Sequence, residues 1–441
     1  MTQEIERPDE YQRFARVTPE WFRDAKLGIF VHWGAYSVPA WAEPTGALGT
    51  IDEARWYRHN PYAEWYANTI RIAGSPAAAH HREAHGGRPY DDFLDRWTAD
   101  EFDADRLVEV FAAAGARYVI PTTKHHDGIA LWDAPGTGTR NTVTRGPRRD
   151  LVAAFADAAR AAGLRFGAYY SGGLDWHAAS APPIESDAQL QAPGGAGYAH
   201  YAHDHLVDLI ARYAPDILWG DIGWPAAGRA PGRASLIDVF ERFYTAAPDG
   251  VVNDRWGGVH ADFRTSEYEH DRAHESAAAW ENCRGIGYSF GHNRLEGAEH
   301  LLGVDAAIRL FVDVVSRGGN LLLNVGPTAS GTLPPPQEAT LRGLGTWNAS
   351  HADAIFGSRP LDGAPSSDDP WVRWTRTGDR ANAFVDAVGH VEIVRPPGVD
   401  PSSAATMTGA PVPVERRGDR LLADVPATAV AGPAVVRFLL T

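Results

Sequence analysis

The feature that most constrains the fold is a repeated succession of short apolar runs and segments with helical spacing. Eight apolar runs can be recognised, at residues 27–32, 116–124, 164–171, 216–221, 250–254, 262–268, 285–290 and 320–325. Segments with helical periodicity lie between most of them, at 104–114, 151–162, 201–213, 236–246 and 305–316. Apolar strands that alternate with helices form parallel sheets, and eight such units are typical of a closed barrel. We therefore predict a (β/α)8-type barrel in the α/β class.

The sequence changes in character near residue 359. Helical spacing stops, and short alternating runs at 371–375, 383–388, 391–394 and 434–439 are separated by Gly, Pro, Asp and Ser. Such runs are typical of antiparallel strands in a β-sandwich. We predict a (β/α)8-like domain over residues 1–358 and a small antiparallel β-sandwich domain over 359–441, with 396–411 as a surface connection.

Composition narrows the classes of partner. The formal charge of −15 disfavours binding to nucleic acid or to an anionic membrane, and no apolar run is long enough to span a bilayer. Cys283 is the single cysteine, so an intramolecular disulfide and a cysteine-based zinc site are excluded. The first residues lack the basic start and apolar stretch of a signal peptide, and we expect a cytoplasmic enzyme. The oligomeric state is left open, with a homo-oligomer among the alternatives.

Polar side chains follow several of the apolar runs, where barrel enzymes carry their chemistry. They are His32, His125, His126, Tyr169, Tyr170, Asp221, Asp254, Arg255 and Glu267. A metal site could draw on His32, His125, His126 and Asp221, but the His-x-His spacing typical of barrel metal hydrolases is missing from the first strand. We therefore predict neither a metal ion nor another cofactor. A purely structural role for the histidines is the plain alternative.

Two carboxylates close later strands. Asp221 ends the run at 216–221 and Glu267 ends the run at 262–268, with Arg255 on the strand between them. Glycosidic cleavage requires such a pair, one carboxylate as nucleophile and one carboxyl as proton donor. The alternative is that each belongs to a surface ion pair. Other acids follow Glu267 in the chain, namely Glu269, Asp271, Glu275 and Glu281. Glu267 is preferred as the proton donor because it closes an apolar strand and so has a fixed position.

Four stretches carry a family resemblance. They are WFRDAKLGIFVHWG at 21–34, TTKHHDG at 122–128, NDRWG at 253–257 and DVVSRGGNLLLNVGP at 313–327. In these stretches the chain resembles the α-L-fucosidases of glycoside hydrolase family 29. The resemblance runs in order from about residue 21 to residue 359, and it implies a barrel followed by a C-terminal β-sandwich.

The resemblance also implies a function and a set of site residues. The function is a retaining exo-α-L-fucosidase that removes terminal α-L-fucosyl residues from fucosylated glycans or glycosides through a covalent glycosyl-enzyme. Asp221 corresponds to the nucleophile and Glu267 to the acid/base residue. The positions that correspond to fucose-binding residues are His32, Glu64, Trp65, His125, His126, Tyr169, Trp219, Arg255 and Phe290. The sequence does not decide whether Tyr169 or Tyr170 faces the sugar. A metal-dependent hydrolase and a sugar-binding protein without activity are the two rival functions.

Overall fold

The computed structural model describes residues 7–178, 182–190, 195–268 and 279–441 of the chain. Every structural statement below concerns these residues. Among the acids weighed as proton donors, Glu269, Asp271 and Glu275 lie outside the described residues.

Eight parallel strands form one curled sheet. They are β1 (Leu27–Val31), β2 (Tyr118–Lys124), β3 (Arg165–Ser171), β4 (Ile217–Asp221), β5 (Val251–Val252), β6 (Arg264–Glu267), β7 (Trp280–Gly285) and β8 (Asn320–Val325). Their order in the sheet is β5-β4-β3-β2-β1-β8-β7-β6, so consecutive strands are neighbours except at the seam between β5 and β6, and β1 pairs with β8. This order is that of a (β/α)8-type barrel, as predicted.

The seam between β5 and β6 is joined by Asp262, and further along by the contact of Asp254 with Thr265, rather than by a strand ladder. The Asp262 backbone N–H donates to the carbonyl of Val252 at 2.9 Å, and the Val252 N–H donates to Oδ2 of Asp262 at 2.8 Å. The same carboxylate accepts hydrogen bonds from the Tyr244 hydroxyl at 2.7 Å and from Arg16 Nε at 3.0 Å. The Asp262 side chain is fully buried, so these contacts replace the hydration that its charge loses.

Helices surround the sheet. The α-helices are α1 (Glu20–Ala25), α2 (Glu53–Trp56), α3 (Tyr66–Thr69), α4 (Pro76–His85), α5 (Asp91–Arg96), α6 (Ala104–Ala114), α7 (Leu151–Ala161), α8 (Ala196–Tyr213), α9 (Leu236–Ala246), α10 (Val304–Ser316) and α11 (Pro335–Ile355). Short 3-10 helices lie at Asp9–Phe14, Ala35–Ser37, Ala63–Trp65, Asp187–Gln189, Ala226–Gly228 and Ala298–His300. The five predicted helices are confirmed as α6 to α10. Asp103, Asp150 and Ser235 cap the N-termini of α6, α7 and α9 through side-chain oxygens, which fixes where these helices begin.

Strand β1 shows why the barrel strands appear as continuous apolar runs. Leu27, Ile29 and Val31 pack in the layer between sheet and helices, whereas Phe30 packs inside the barrel. Both faces of a parallel strand are buried, so every position favours an apolar residue. Gly28 is the exception, because a Cβ atom there would lie 2.1 Å from the ring of Tyr118, which fills the barrel interior.

One predicted strand is wrong. The apolar run at 285–290 was expected to form the seventh strand, but β7 is the preceding segment, Trp280–Gly285. This segment contains Glu281, Asn282 and Arg284, which hide the strand from a search for apolar runs. Glu281 and Asn282 are nevertheless buried, because the carboxylate and the amide form side-chain hydrogen bonds inside the protein.

Antiparallel strands follow α11. They are β9 (Arg359–Pro360), β10 (Ser367–Asp368), β11 (Trp371–Thr377), β12 (Arg380–Val385), β13 (Gly389–Val394), β14 (Val399–Thr406), β15 (Val414–Arg417), β16 (Arg420–Val425) and β17 (Ala434–Leu440). One sheet has the order β10-β11-β12-β17-β14, with β9 also paired to β11, and the second has the order β13-β16-β15. Apolar residues of both sheets share one core, so the predicted β-sandwich is confirmed.

The connection predicted at 396–411 is wrong in part, because β14 lies within it and pairs with β17. Polar residues and a register shift between Asp400 and Ala405 explain why no alternating pattern marks this strand. The sandwich packs on the barrel through α10 and α11, where Arg373 forms an ion pair with Asp313. The division of the chain at residues 358 and 359 stays a prediction.

Within the described ranges, none of the helices combines the length and the apolar character that crossing a bilayer requires.

We predict that Asp262→Ala destabilises the barrel at its seam. The substitution leaves the N–H of Val252 and the hydroxyl of Tyr244 without their buried acceptor, and it leaves Arg16 without its ion-pair partner. The free energy of unfolding should fall by about 3 kcal/mol, the usual cost of breaking a buried charged network. Denaturant unfolding checks this value, with the exposed Asp362→Ala as the control. A change below about 1 kcal/mol for Asp262→Ala would show that the seam does not depend on this carboxylate.

Candidate active site

The carboxyl ends of the barrel strands surround a cavity of about 210 Å³. Every predicted site residue lines it: His32, Glu64, Trp65, His125, His126, Tyr169, Trp219, Asp221, Arg255, Glu267 and Phe290. The inner end is formed by Phe30, Trp219 and Cys283, which are buried, whereas Leu48, Leu190 and Ile222 at the outer end are partly exposed. Within the described residues, the site is therefore a pocket that is closed at its inner end.

Strand geometry explains how distant residues converge on this pocket. Side chains alternate between the two faces of a strand, so residues two apart point the same way. Phe30 and His32 follow each other on the inner face at the end of β1, as do Trp219 and Asp221 at the end of β4. In each strand an aromatic ring contributes to the pocket floor, and the next inward residue supplies a polar group above it.

Asp221 is held by four neighbouring groups. Its Oδ2 accepts a hydrogen bond from the Tyr169 hydroxyl at 2.7 Å and lies 3.7 Å from Nε2 of His126. Its Oδ1 accepts from Nη1 of Arg255 at 3.1 Å and from the backbone N–H of Ile222 at 3.0 Å. Burial alone would raise the pKa of Asp221, but the charge of Arg255 and the hydrogen bond from Tyr169 outweigh it and hold the pKa below its usual value. Asp221 is therefore an ionised carboxylate at neutral pH.

Arg255 joins the two predicted catalytic carboxylates. Its Nη1 donates to Asp221 as described, and its Nη2 donates to Oε2 of Glu267 at 2.9 Å. Its Nε donates to the hydroxyl of Thr265 at 3.1 Å, and that hydroxyl donates to Asp254 at 2.6 Å. The guanidinium carbon lies 4.8 Å from the centre of the Trp219 ring, a cation–π contact. The guanidinium of Arg255 is planar and is held by these contacts, so it sets the positions of both carboxylates.

Glu267 has a second donor besides Arg255. The hydroxyl of Tyr62 donates to its Oε1 at 2.9 Å, so the two carboxylate oxygens face different partners. The side chain of Glu267 is 18% exposed and that of Asp221 is 10% exposed, so Glu267 has the greater access to solvent. This difference suits a group that exchanges protons with water.

Two histidines have protonation states that follow from their neighbours. The Asn324 amide donates through Nδ2 to the carbonyl of Phe290 at 2.7 Å, so its Oδ1 faces Nδ1 of His32 at 2.7 Å and accepts from it. Ser171 donates to the carbonyl of Leu174 at 2.7 Å, so Nδ1 of His126 donates to the Ser171 oxygen at 2.6 Å. In both rings Nε2 is then an unprotonated acceptor.

Burial keeps both imidazoles neutral. It lowers the pKa of His32 to about 3 and that of His126 to about 4, against the partial compensation that the charge of Asp221 provides. Burial also lowers the pKa of His125 well below its usual value, with the neighbouring His126 and His32 acting in the same direction. The histidine cluster is thus a set of neutral hydrogen-bonding groups at neutral pH.

Tyr169, and not Tyr170, faces the pocket. Tyr169 lines it and bonds Asp221, whereas the hydroxyl of Tyr170 lies 3.1 Å from Nδ1 of His205 outside the barrel. His125 and His126 both reach the pocket because β2 ends at Lys124 and the chain then turns, with the Gly128 N–H donating to the carbonyl of His125. Adjacent residues of an extended strand point to opposite faces, so this turn is what lets both histidines share one site.

Glu64 and Phe290 come from two loops that hold each other. Oε2 of Glu64 accepts hydrogen bonds from the Gly291 N–H at 2.7 Å and from the Ser289 hydroxyl at 3.1 Å. Burial raises the pKa of Glu64 to about 7, against the lowering effect of these donors. Phe290 lies 4.9 Å from His32 and 5.4 Å from Tyr62 between ring centres, and it forms an apolar wall of the pocket.

Sequence reasoning missed several residues that position the site. Tyr62, Asn324, Ser171 and Thr265 support Glu267, His32, His126 and Arg255, respectively. Asn324 lies in the stretch at 313–327, the last of the four that carry the family resemblance. That stretch could have indicated a residue on the strand next to His32. Tyr62 and Ser171 carry no signal in a single sequence, since their role depends on the loop paths that bring them to the pocket.

Among the described residues, no group of three or more His, Cys, Asp or Glu side chains has an arrangement that could hold a metal ion. His32 directs Nδ1 to Asn324, and His126 directs Nδ1 to Ser171, so each ring offers only Nε2 to the pocket.

Comparisons with known proteins agree with this geometry. The family profile described as alpha-L-fucosidase matches residues 2–353. The chain belongs to the alpha-L-fucosidase family. It is therefore a glycoside hydrolase that acts on fucosylated glycans. This membership favours neither of the rival functions, a metal-dependent hydrolase and a sugar-binding protein without activity.

Individual relatives show how far the likeness extends. The chain is 30% identical to the alpha-L-fucosidase of Dictyostelium discoideum over 381 residues, 84% of this chain and 78% of that protein. A solved alpha-L-fucosidase structure superposes with a TM-score of 0.91 at 40% identity, covering 98% of this chain and 99% of the other. The alpha-fucosidase of Thermotoga maritima in complex with fucose gives a TM-score of 0.85 at 41% identity, covering 96% and 97%.

Glu281, one of the acids weighed as proton donor, lies below the pocket floor. It is fully buried and does not line the pocket. Its carboxylate accepts hydrogen bonds from the Tyr118 hydroxyl at 2.5 Å and from Nε1 of Trp219 at 2.9 Å. Burial raises the pKa of Glu281 to about 7, although both donors and Arg255 lower it. Its geometry is that of a support for Trp219.

This buried carboxyl predicts a pH-dependent loss of stability. Because the pKa of Glu281 is higher in the folded protein than in the unfolded chain, its contribution is complete below about pH 4.5 and is lost as the pH rises towards 7. Glu281→Gln removes this titration. The unfolding free energy of the variant relative to wild type should therefore increase by about 3 kcal/mol between pH 4.5 and 7.5. Denaturant unfolding at both pH values measures the change, and an unchanged difference would contradict it.

Proposed function

We propose that this enzyme is a retaining exo-α-L-fucosidase that works by double displacement through a covalent intermediate on Asp221. The observation that carries the proposal is the single guanidinium of Arg255, which binds an ionised carboxylate on one side and the more exposed Glu267 on the other. Retaining glycosidases require two carboxyl groups about 5–5.5 Å apart, close enough for one of them to attack the anomeric carbon directly. Asp221 and Glu267 bind Nη1 and Nη2 of one guanidinium and so lie close together, and this proximity supports the proposal.

The pocket supports exo action. Its volume of about 210 Å³ lies below the roughly 300–1,000 Å³ of pockets that take drug-sized ligands, so it suits a single sugar ring. Buried side chains close the inner end. A chain of sugars can therefore enter only with its terminal residue, and the rest of the substrate must extend through the mouth.

The proposed reaction has two steps. First, an Asp221 oxygen attacks the anomeric carbon, the bond to the leaving oxygen breaks, and Glu267 transfers its proton to that oxygen. Second, Glu267 removes a proton from water, the water oxygen attacks the anomeric carbon, and the bond to Asp221 breaks. Arg255 binds Asp221 before the attack, and it binds Glu267 whenever that group is ionised. Both carboxyl groups return to their starting states.

The remaining pocket residues suit recognition of a neutral deoxysugar. The Nε2 atoms of His32 and His126 accept hydrogen bonds from sugar hydroxyls, and neutral rings avoid an unpaired buried charge. Glu64 adds a further acceptor, and Trp65 and Trp219 offer apolar faces. Phe290 provides the apolar contact that the methyl group on C5 of fucose requires.

The first test removes the nucleophile. Asp221→Gly should lower turnover of aryl α-L-fucosides by several orders of magnitude, because no covalent intermediate can form. Sodium azide should restore part of the rate by entering the vacated space, and the product should be β-L-fucosyl azide, the inverted anomer. Rate measurement and proton NMR of the product check both expectations. Near-normal turnover without azide would exclude Asp221 as the nucleophile.

The second test concerns the proton donor. Glu267→Ala should slow hydrolysis of fucosides with poor leaving groups at least 100-fold more than that of dinitrophenyl fucosides, whose departure needs little protonation. The pH–rate profile of the variant should lose its basic limb. Thr265→Ser, which retains the hydroxyl that supports Arg255, is the matched control on the same strand. If Glu267→Ala slowed all leaving groups equally, another residue would have to donate the proton.

A further inference from the structure

Ile222, the residue after Asp221, has an unusual backbone conformation. Its φ angle is +56°, in the left-handed region, where a β-branched residue is strained. Its backbone N–H donates to Oδ1 of Asp221 at 3.0 Å. That contact explains the backbone path. It does not explain the side chain, because glycine would supply the same N–H without strain.

Neighbouring backbone segments hold this conformation in place. The Gly173 N–H donates to the carbonyl of Asp221 at 3.1 Å, and the Gly223 N–H donates to the carbonyl of Arg255 at 3.1 Å. A Cβ atom on Gly173 would lie 1.8 Å from the carbonyl oxygen of Ile222, so the two segments touch backbone to backbone. The isoleucine side chain is thus fixed in direction, and it lines the mouth of the pocket.

Of the other side chains at the mouth, Leu48 and Leu190 are apolar, whereas Tyr57 and Asp187 carry polar groups. Leu48 and Leu190 line it, and with Ile222 they form a partly exposed group that packs on the aromatic core of the pocket. Tyr57 lines it too, but its hydroxyl donates to the carboxylate of Asp187 and is already engaged. An aglycone that leaves the pocket passes this apolar group, and its own hydroxyls would find no partner on these three side chains.

We propose that Ile222, Leu48 and Leu190 form a leaving-group subsite for aglycones that carry an alkyl or aryl group next to the glycosidic oxygen. The inference rests on the proposed exo action, since only a closed pocket forces the aglycone through this mouth. In this account the strain at Ile222 is retained because the side chain contributes to binding of the departing group in the transition state. A saccharide aglycone gains less from the same surface, because its hydroxyls lose hydration there.

The test compares methyl with n-hexyl α-L-fucoside, whose alcohols have nearly equal acidity, so that the ratio of their kcat/KM values reports contact with the alkyl chain alone. Burial of a methylene favours binding by about 0.8 kcal/mol, which is about fourfold. In wild type, kcat/KM should be about tenfold higher for the hexyl compound. Ile222→Gly should reduce this ratio at least threefold while leaving Tm equal to or above that of wild type, because the strain is removed.

Two further variants complete the design. Ile222→Asn tolerates the left-handed conformation and places a polar group at the mouth, so it should also reduce the ratio, even if the glycine variant folds poorly. Ala214→Gly is the matched control, since Ala214 has a φ of +38° at the exposed end of α8, away from the pocket. It should leave the ratio unchanged.

The outcomes separate this inference from the proposed function. Hydrolysis of both fucosides with an unchanged ratio in both Ile222 variants would overturn the subsite and leave the exo mechanism intact. An equal loss of activity on both fucosides would also overturn it, because Ile222 would then act only through Asp221. If wild type hydrolysed aryl α-L-fucosides but neither alkyl fucoside, the subsite alone would be overturned, whereas failure on the aryl fucosides as well would overturn the proposed function.

Discussion

The contact of one arginine with two carboxylates governs the arrangement of the whole site. Arg255 donates to Asp221 at 3.1 Å and to Glu267 at 2.9 Å, and these acids come from different strands, β4 and β6. Between those strands lies the seam of the barrel, where β5 contains only two residues. Arg255 follows this short strand by three residues, and its side chain lines the pocket. One edge of β5 pairs with β4, and at the other edge Asp262 bonds Val252 and so joins the seam.

Electrostatics in the pocket follow from the same contact. Arg255 overcomes the effect of burial and keeps Asp221 ionised, while burial keeps the imidazoles of His32 and His126 neutral. The pocket therefore contains an anionic nucleophile beside one permanent cation, and the two imidazoles accept hydrogen bonds without adding positive charge. This combination suits a neutral substrate whose transition state develops positive charge at the anomeric carbon.

Much of this arrangement could be predicted from the sequence. The apolar runs of β1 to β4 and of β8 mark strands that are buried on both faces, and the helices α6 to α10 have clear caps or periodicity. The eleven predicted site residues share one pocket because barrel strands bring their carboxyl ends together. Strand β7 could not be predicted, since Glu281 and Asn282 are buried through tertiary hydrogen bonds. The strand within 396–411 was missed for a related reason, the register shift.

Other features depend on loop paths that cannot be inferred from a single sequence. The tautomers of His32 and His126 are set by Asn324 and Ser171, and the strain at Ile222 is set by the approach of Gly173. The choice between Tyr169 and Tyr170 required the register of β3 with β4, which pairs Tyr169 with Trp219. The cytoplasmic location stays a prediction.

The most direct test of the account is covalent labelling of the wild-type enzyme with a 2-deoxy-2-fluoro-L-fucosyl fluoride. Fluoride departs readily, and the fluorine on C2 slows hydrolysis of the intermediate, so the glycosyl-enzyme should accumulate. Mass spectrometry of the digested protein should locate one fucosyl group per chain on Asp221, within the peptide that contains Trp219 and Trp224. A label on Glu267, on Glu281 or on any other residue would contradict the central claim, and so would inactivation without a covalent adduct.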